Sequence, residues 1–229
     1  MTSSTGLDHA KILAAEKSLE FIKDGMVVGL GSGSTATHFI QLLGAEVRRG
    51  LKIRGISSSA ASEQLAKSLS IPTIDFHECT EIDVTIDGAD EIGPGLNVIK
   101  GGGGALLREK IVASASKRFI VVADSSKTVE YLGKFPLPVE VIPMASPLVA
   151  RKLLDIGIPS RVRKAENGSE YITDEGNLIL DCECGKILDP EGLAKSIRDI
   201  VGVVEHGLFL HMAELAVVAS GSGVVVLHR

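Results

Sequence analysis

The sequence predicts an α/β fold: a Rossmann-like, mostly parallel sheet with helices on both faces, plus an inserted ferredoxin-like α+β domain. Short apolar runs recur along the first half of the chain, and segments with helical periodicity lie between them. This alternation is typical of a parallel sheet covered by helices. After the Pro-rich KFPLP the order changes to strand, helix, strand, strand, helix, strand, which predicts the inserted domain.

The first part of the chain supplies most elements of the large sheet. A helix over 8–24 has apolar residues at helical spacing and stops at Gly25, a favourable residue after a helix end. The other predicted elements are, in order, strand MVVGL, a helix over 34–43, strand IRGIS, a helix over 60–69, strands IDVTID and LNVIK, a helix over 103–117 and strand RFIVVAD.

The second part follows the ferredoxin-like order. Its elements are strand PVEVIP, a helix over 146–156, strands SRVRK and NLILDCE, a helix over 190–200 and strand GVVEHGLF. The last apolar segments, AELAVVASG and GVVVLHR, are expected to return to the first sheet. We therefore predict an α/β catalytic domain over 1–131 and 205–229, with an inserted α+β (βαββαβ) domain over 132–204.

Composition excludes several classes of partner. With a net charge of -5 and only two Tyr, six Phe and no Trp in 229 residues, the chain lacks the basic, aromatic surface of a nucleic-acid-binding protein. No apolar run approaches the roughly 18 residues of a membrane span, and the N-terminal segment does not resemble a signal or transit peptide. We expect a cytoplasmic protein with no nucleic-acid or membrane partner.

The cysteines and histidines do not predict a metal centre. Cys182 and Cys184 would share one face of a strand and could in principle be ligands. No Cys or His follows at a zinc-finger spacing, so a structural role is favoured. The six histidines show no paired-ligand motif.

The stretch VVGLGSGSTATHFI reads as a strand, a Gly/Ser turn and a helix. Free N–H groups of the first helical turn and nearby hydroxyls could hold a phosphate there. The alternative is an ordinary tight turn with a Ser N-cap. Gly31 to Ala36 also fit the dinucleotide fingerprint, but the region about 20 residues on reads Ile56-Ser57-Ser58 and lacks the acid that would hold a ribose. This argues against NAD.

Two further strand ends carry acidic and basic residues. In TIDGADE, Asp87 and Asp90 could turn into one cavity to bind Mg²⁺ or to share proton transfer, or they could lie in a surface turn. In VIKGGGGALLREK, four consecutive glycines suggest close approach to a ligand. Glu109, among apolar neighbours, could act as a general base or form half of a solvated i,i+4 pair. Lys127 in VVADSSK could meet an anion or lie in solvent.

Together, VGLGSGSTATHFI, TIDGADEI, KGGGGALLREKI, VVADSSK and GKFPLPVEVIPMA resemble the ribose-5-phosphate isomerases of the A type, in order from about Lys11 to the C-terminal strands. The resemblance implies interconversion of ribose 5-phosphate and ribulose 5-phosphate through an enediolate, without a metal or other cofactor, in a homodimer or homotetramer. It implies Glu109 as the base, Lys100 as the oxyanion partner, Asp87 for ring opening and Asp90 for orienting the sugar. The implied substrate-binding residues are Lys11, Ser32, Gly33, Ser34, Thr35, Asp87, Gly88, Ala89, Asp90, Lys100, Gly101, Gly102, Gly103 and Lys127.

Two other classes of protein remain as alternatives. One is a related enzyme such as a CoA transferase or a formyltetrahydrofolate cycloligase, whose domains look like the one predicted here. The other is a regulator that senses a sugar phosphate without converting it. A regulator should add a helix-turn-helix, and the chain shows no basic recognition helix.

Overall fold

The computed structural model describes residues 4–229. Its helices are α1 (Ser4–Ser18), α2 (Gly33–Arg48), α3 (Ala60–Ser68), α4 (Leu106–Ser114), α5 (Ser146–Asp155) and α6 (Pro190–Arg198). Its strands are β1 (Val27–Leu30), β2 (Arg54–Ser57), β3 (Val84–Asp87), β4 (Glu91–Ile92), β5 (Val98–Ile99), β6 (Phe119–Asp124), β7 (Leu137–Val141), β8 (Ser160–Val162), β9 (Leu178–Cys182), β10 (Val203–His206), β11 (Leu208–Phe209), β12 (Leu215–Ser220) and β13 (Gly223–His228). None of the helices in this part of the chain combines the length and apolar character needed to cross a membrane.

A six-stranded sheet forms the centre of the molecule, in the order β13-β12-β6-β3-β1-β2. Its neighbouring strands are parallel except for the edge pair of β12 and β13, which is antiparallel. This confirms the predicted mostly parallel sheet. The return of the two last apolar segments to it is also confirmed, since they form β12 and β13.

The two faces of this sheet bury different elements because side chains alternate along each strand. Val28 and Leu30 of β1 point to the face that packs against α1, α2 and α3. Val27 lies on the opposite face, where it clusters with Val112 of α4. Both faces are therefore covered by helices, as predicted.

A second sheet is antiparallel and has the order β10-β7-β9-β8. Along the chain its elements follow the predicted order β7, α5, β8, β9, α6, β10. Buried residues of α5 and α6, such as Leu153 and Ile197, pack with those of the strands in one apolar cluster. The ferredoxin-like arrangement is confirmed, while the boundaries 132 and 204 of the inserted domain stay a prediction.

The prediction that LNVIK joins the parallel sheet is wrong. Its residues Val98 and Ile99 form β5, the middle strand of a small antiparallel sheet in the order β11-β5-β4. GVVEHGLF likewise divides between two sheets at Gly207, where the Lys100 N–H donates to the Gly207 carbonyl at 2.9 Å. An added Cβ at Gly207 would overlap the Lys100 carbonyl, so only glycine permits this approach.

Helix boundaries also differ from the predictions. Helix α1 ends at Ser18, where the serine hydroxyl donates to the Ala15 carbonyl at 2.7 Å, and a 3₁₀ turn over Leu19–Phe21 follows. Helix α2 continues to Arg48, and α4 begins only at Leu106. The glycine run is non-helical, which agrees with the entropic cost of ordering glycine in a helix.

The centre of β1 tolerates no side chain at Gly29. An added Cβ would overlap the Thr85 hydroxyl and lie 2.9 Å from Val112 Cγ1. We predict that Gly29→Ala lowers the free energy of unfolding by about 1–3 kcal/mol, the usual cost of overpacking, as measured by urea denaturation. Gly221→Ala is the control, because nothing lies within 4 Å of an added Cβ there. Equal stability of the two variants would contradict the close packing around β1.

Candidate active site

The candidate site lies at the carboxyl ends of β1 and β3. From β1 the chain passes to β2 on one side, and β3 pairs with β1 on the other. Strand order therefore reverses at β1, and ligands of open α/β sheets bind at such a point. A cavity of about 250 Å³ opens here.

The cavity brings together nearly all the residues predicted for the site. Its lining includes every predicted residue except Asp87, and adds Leu7, Asp124 and Ser126. The full lining is Leu7, Lys11, Ser32, Gly33, Ser34, Thr35, Gly88, Ala89, Asp90, Lys100, Gly101, Gly102, Gly103, Glu109, Asp124, Ser126 and Lys127. Asp87 is fully buried immediately beside it.

The turn from β1 into α2 is held against Asp87. An added Cβ at Gly31 would lie 2.5 Å from the Asp87 Cα, so glycine is required for this approach. The Ser32 N–H donates to Asp87 Oδ1 at 2.8 Å. Ser32 occupies the N-cap position of α2, but its hydroxyl does not cap the helix and instead contacts the hydroxyls of Ser58 and Ser59 at 2.8 and 2.9 Å. The first turn of α2, which faces the cavity, therefore lacks the serine cap of the alternative interpretation.

Lys100 is a buried cation between two carboxylates. Its side chain is 2% exposed, and Nζ lies 3.0 Å from Asp87 Oδ2 and 3.4 Å from Glu109 Oε1. Nζ also donates to the Gly88 carbonyl at 2.6 Å. Burial opposes the charged form, but the attraction of Asp87 and Glu109 outweighs it and raises the pKa of Lys100. The lysine is therefore a fixed positive charge at the cavity wall.

Burial disfavours the ionised form of the two carboxyl groups as well, and for an acid this raises the pKa. It raises the pKa of Asp87, although Lys100 and the N–H groups of Ser32 and Gly88 act against it. Burial likewise raises the pKa of Glu109 to about 8, with Lys100 lowering it and Asp87 raising it further. A carboxyl group with a pKa near neutrality can both accept and return a proton.

The Glu109 carboxyl is oriented toward the cavity with one oxygen free. Its side chain is 5% exposed, which contradicts the alternative of a solvated helix-surface pair. Oε1 contacts Lys100, while the buried Oε2 has no hydrogen-bond partner in the described part of the chain. Glu109 lies in the first turn of α4, so the end of the glycine run determines its place.

Asp90 and the glycine run pack directly on each other. Asp90 Oδ2 accepts a hydrogen bond from the Gly102 N–H at 2.7 Å. An added Cβ at Gly102 would lie 2.5 Å from Asp90 Oδ1. The glycines therefore allow the backbone to approach the acidic turn, and Asp90 is half-buried at the cavity wall.

Two lysines and a serine line the opposite part of the cavity. Lys127 follows β6 in a 3₁₀ turn whose N-cap, Asp124, accepts from the Ser126 N–H at 2.9 Å. Lys11 of α1 forms an ion pair with Asp8 at 3.4 Å. Sequence analysis missed Ser126, although its position directly after a parallel strand is the signal that identified Lys127.

A buried aromatic ring behind the site was also missed. The centroid of Phe209 lies 5.6 Å from Lys100 Nζ and 4.8 Å from Lys110 Nζ. These distances suit cation–π contacts. Phe209 belongs to β11, so the small sheet brings it to Lys100, and no local pattern in the sequence signals this contact.

The described residues contain no group of three His, Cys, Asp or Glu side chains placed to hold a metal ion. Cys182 is buried in β9 and its thiol contacts the Leu180 carbonyl at 3.6 Å. This agrees with the structural role favoured for it.

Comparisons with known proteins agree on one family. Residues 54–223 match the family model of ribose 5-phosphate isomerase A (phosphoriboisomerase A). A ribose-5-phosphate isomerase A of Bradyrhizobium diazoefficiens is 48% identical, with 97% of both chains covered. A solved D-ribose-5-phosphate isomerase in complex with phospho-erythronic acid superposes with a TM-score of 0.94 at 40% identity, over 97% of this chain and 99% of that one. The enzyme of Plasmodium falciparum gives a TM-score of 0.94 at 35% identity, with the same coverage.

Burial of Glu109 should make stability depend on pH. Its pKa is about 8 in the folded chain against an ordinary 4.5. Between these values the folded chain retains a proton that the unfolded chain releases, so stability falls as pH rises through this window. We predict that in Glu109→Gln the free energy of unfolding no longer shows this decrease with pH. The decrease amounts to about 1.4 kcal/mol for each unit by which folding raises the pKa.

Urea denaturation at a series of pH values measures this dependence. The exposed Glu78 supplies the matched control, and Glu78→Gln should keep the wild-type slope. The same pH slope in wild type and Glu109→Gln would contradict the raised pKa.

Proposed function

The chain belongs to the ribose 5-phosphate isomerase A family and interconverts D-ribose 5-phosphate and D-ribulose 5-phosphate, and we propose that Glu109 carries the proton between C2 and C1 of the sugar. The reaction belongs to the non-oxidative branch of the pentose phosphate pathway. Because the chain belongs to this family, the alternatives of a CoA transferase, a cycloligase or a sugar-phosphate-sensing regulator are excluded.

The free Glu109 oxygen is the observation that carries the proposal. Oε2 is buried without a hydrogen-bond partner among the described residues, in a carboxyl group whose pKa is raised by burial to about 8. The ionised carboxylate takes the C2 proton of the open-chain aldose, which leaves an enediolate. The resulting carboxylic acid returns the proton to C1 and yields the ketose. Because the pKa lies near neutrality, both transfers are close to balanced.

The enediolate oxygens need positive charge and N–H donors. We assign this role to Lys100, fixed by its ion pairs, together with the amides of Gly101 to Gly103. Asp87 contacts the same ammonium, and we propose that it serves ring opening and transfer of the hydroxyl proton. Asp90, at the cavity wall between Ala89 and the glycine run, orients the sugar.

The phosphate site lies at the other end of the cavity. The first turn of α2 presents Gly33, Ser34 and Thr35 without a side-chain cap, and the positive end of the helix dipole favours an anion there. Among the described residues that line the cavity, Lys11 and Lys127 are the lysines besides Lys100. The related isomerase that holds phospho-erythronic acid supports a sugar phosphate in this cavity.

We keep a cytoplasmic location and a homodimer or homotetramer as proposals. Two large apolar side chains on adjacent segments support association: Met144 is 90% exposed and Val201 is 85% exposed, and the Ile142 N–H donates to the Gly202 carbonyl at 3.0 Å. A contiguous exposed apolar patch is typical of an interaction site.

Replacement of the proposed base should abolish turnover without unfolding the protein. We predict that Glu109→Gln, which is nearly isosteric, lowers kcat by about 10²–10⁴-fold, the usual contribution of a positioned base. Coupled isomerase assays measure kcat and KM, with Glu78→Gln as the control at wild-type activity. In D₂O the wild type is expected to place deuterium at C2 of the ribose 5-phosphate formed. A Glu109→Gln enzyme within tenfold of wild type would refute the assignment.

Removal of a phosphate contact should change KM rather than kcat. A charge-assisted hydrogen bond contributes about 1.5–3 kcal/mol, so we predict that Lys127→Ala raises KM by about 10-fold or more at nearly constant kcat. Ser34→Glu, at an exposed position, places a carboxylate against the phosphate and should abolish binding. The exposed Lys134 lies outside the cavity, and Lys134→Ala should leave KM unchanged. Unchanged KM in the first two variants would remove them from the phosphate site.

A further inference from the structure

The glycine run is held from outside by the second sheet. Arg163 lies directly after β8, and its Nη1 donates to the carbonyls of Gly101 at 2.8 Å and Gly102 at 3.0 Å. The hydroxyl of Tyr171 donates to the Gly103 carbonyl at 3.2 Å. Three consecutive carbonyls of the loop are therefore bound by side chains of the other sheet.

These contacts determine where the loop N–H groups point. In a trans peptide unit the carbonyl and the N–H point in opposite directions. With the Gly101 carbonyl on Arg163, the Gly102 N–H points to Asp90, and the structure shows this bond at 2.7 Å. With the Gly102 carbonyl also on Arg163, the Gly103 N–H points to the cavity side, where no acceptor among the described residues engages it.

We propose that Arg163 is a positioning residue for the isomerisation, which turns the Gly103 N–H into the cavity as a donor to the enediolate oxygen. Tyr171 supports this arrangement by holding the next peptide unit of the loop, whose Gly104 N–H donates to the Gly101 carbonyl at 3.0 Å. This inference rests on the proposed function, because the donor has a role only if charge develops on the sugar oxygens beside Lys100. Neither residue lines that cavity, and both act through the backbone.

The geometry explains why arginine is needed. Its guanidinium spans two targets: Nη1 reaches both loop carbonyls, while Nε donates to Asp181 Oδ2 at 3.0 Å and Nη2 contacts the other oxygen of Asp181. The Arg163 side chain is 13% exposed, so water competes little for these bonds. Lysine, with a single ammonium, cannot hold both the carboxylate and two carbonyls in this planar arrangement.

Tyr171 lies in the connection between β8 and β9 that begins at Arg163. Its N–H donates to the Arg163 carbonyl at 2.9 Å. The Tyr171 ring occupies the space that an added Cβ at Gly104 would need, and Gly104 has a φ of +88°. The fourth glycine therefore permits the ring to reach the loop, which accounts for glycine at this position.

The test compares Arg163 with Arg161, which lies two residues earlier, in β8. Arg163→Gln removes the two carbonyl contacts, whereas Arg161→Gln alters a 77% exposed arginine that pairs with Glu183. We expect Arg163→Gln to lower kcat by about 10- to 100-fold, since loss of an oxyanion donor costs up to about 10²–10³. KM should change less than about threefold, because the phosphate contacts remain. Arg161→Gln should match the wild type.

Two ligands separate positioning from general damage. Phospho-erythronic acid carries a carboxylate that resembles the charged oxygens of the enediolate, whereas inorganic phosphate probes the phosphate site alone. Calorimetry of Arg163→Gln should show weaker binding of phospho-erythronic acid and unchanged binding of phosphate. A kcat within twofold of wild type, or equal weakening of both ligands, would overturn the proposal.

Tyr171→Phe supplies a variant that keeps the ring and carries little risk of misfolding. Loss of one hydrogen bond of about 0.5–1.5 kcal/mol should lower kcat by about 2- to 10-fold at constant KM. Unchanged kcat in Tyr171→Phe would remove that residue from the proposal. If Arg163→Gln does not fold, the same unchanged kcat would overturn the proposal as a whole. An inactive wild-type enzyme would instead count against the proposed function, whereas loss of activity in Arg161→Gln equal to that in Arg163→Gln would overturn the positioning role.

Discussion

The site depends on one buried cation, the Lys100 ammonium, held between Asp87 and Glu109. An isolated charge at 2% exposure would be strongly unfavourable, and so would either carboxylate without it. The two acids make the lysine permanently positive, while burial keeps the proton affinity of the acids high. The same environment thus supplies a fixed positive charge and a carboxyl group with a pKa near neutrality, which are the two requirements of proton transfer through an enediolate.

Sheet topology determines where this cluster forms. Strand order reverses at β1, so the ends of β1 and β3 lie side by side and their loops diverge around a crevice. Gly31 lets the first loop lie directly on Asp87. The small sheet supplies Lys100 and the ring of Phe209 from the other side. Three separate segments therefore have to be in place before the ammonium has its partners.

The second sheet also helps to hold the glycine run at this crevice. Arg163 and Tyr171 bind the outer edge of the glycine run while Asp90 binds its inner edge. The run itself has too little side-chain contact to hold one conformation, because glycine has the greatest backbone freedom. Contacts on both edges offset that freedom, and this explains how a flexible sequence can form a rigid part of a site.

Sequence alone determined the large α/β sheet, the ferredoxin-like order and the position of the site at strand ends, because alternation of apolar residues and turn chemistry are local. It also predicted Lys100, Glu109 and Asp90, which line the cavity, because they lie in or just after the segments that follow strands. Only the tertiary structure decided that β5 leaves the parallel sheet, that Asp87 lies behind the cavity wall, and that Arg163 reaches the glycine run. Arg163 and Gly101 lie about 60 residues apart, and no local pattern records a hydrogen bond between a side chain and such a distant backbone carbonyl. The raised pKa of Glu109 has the same origin, because desolvation comes from the packing of segments that are separate in the sequence.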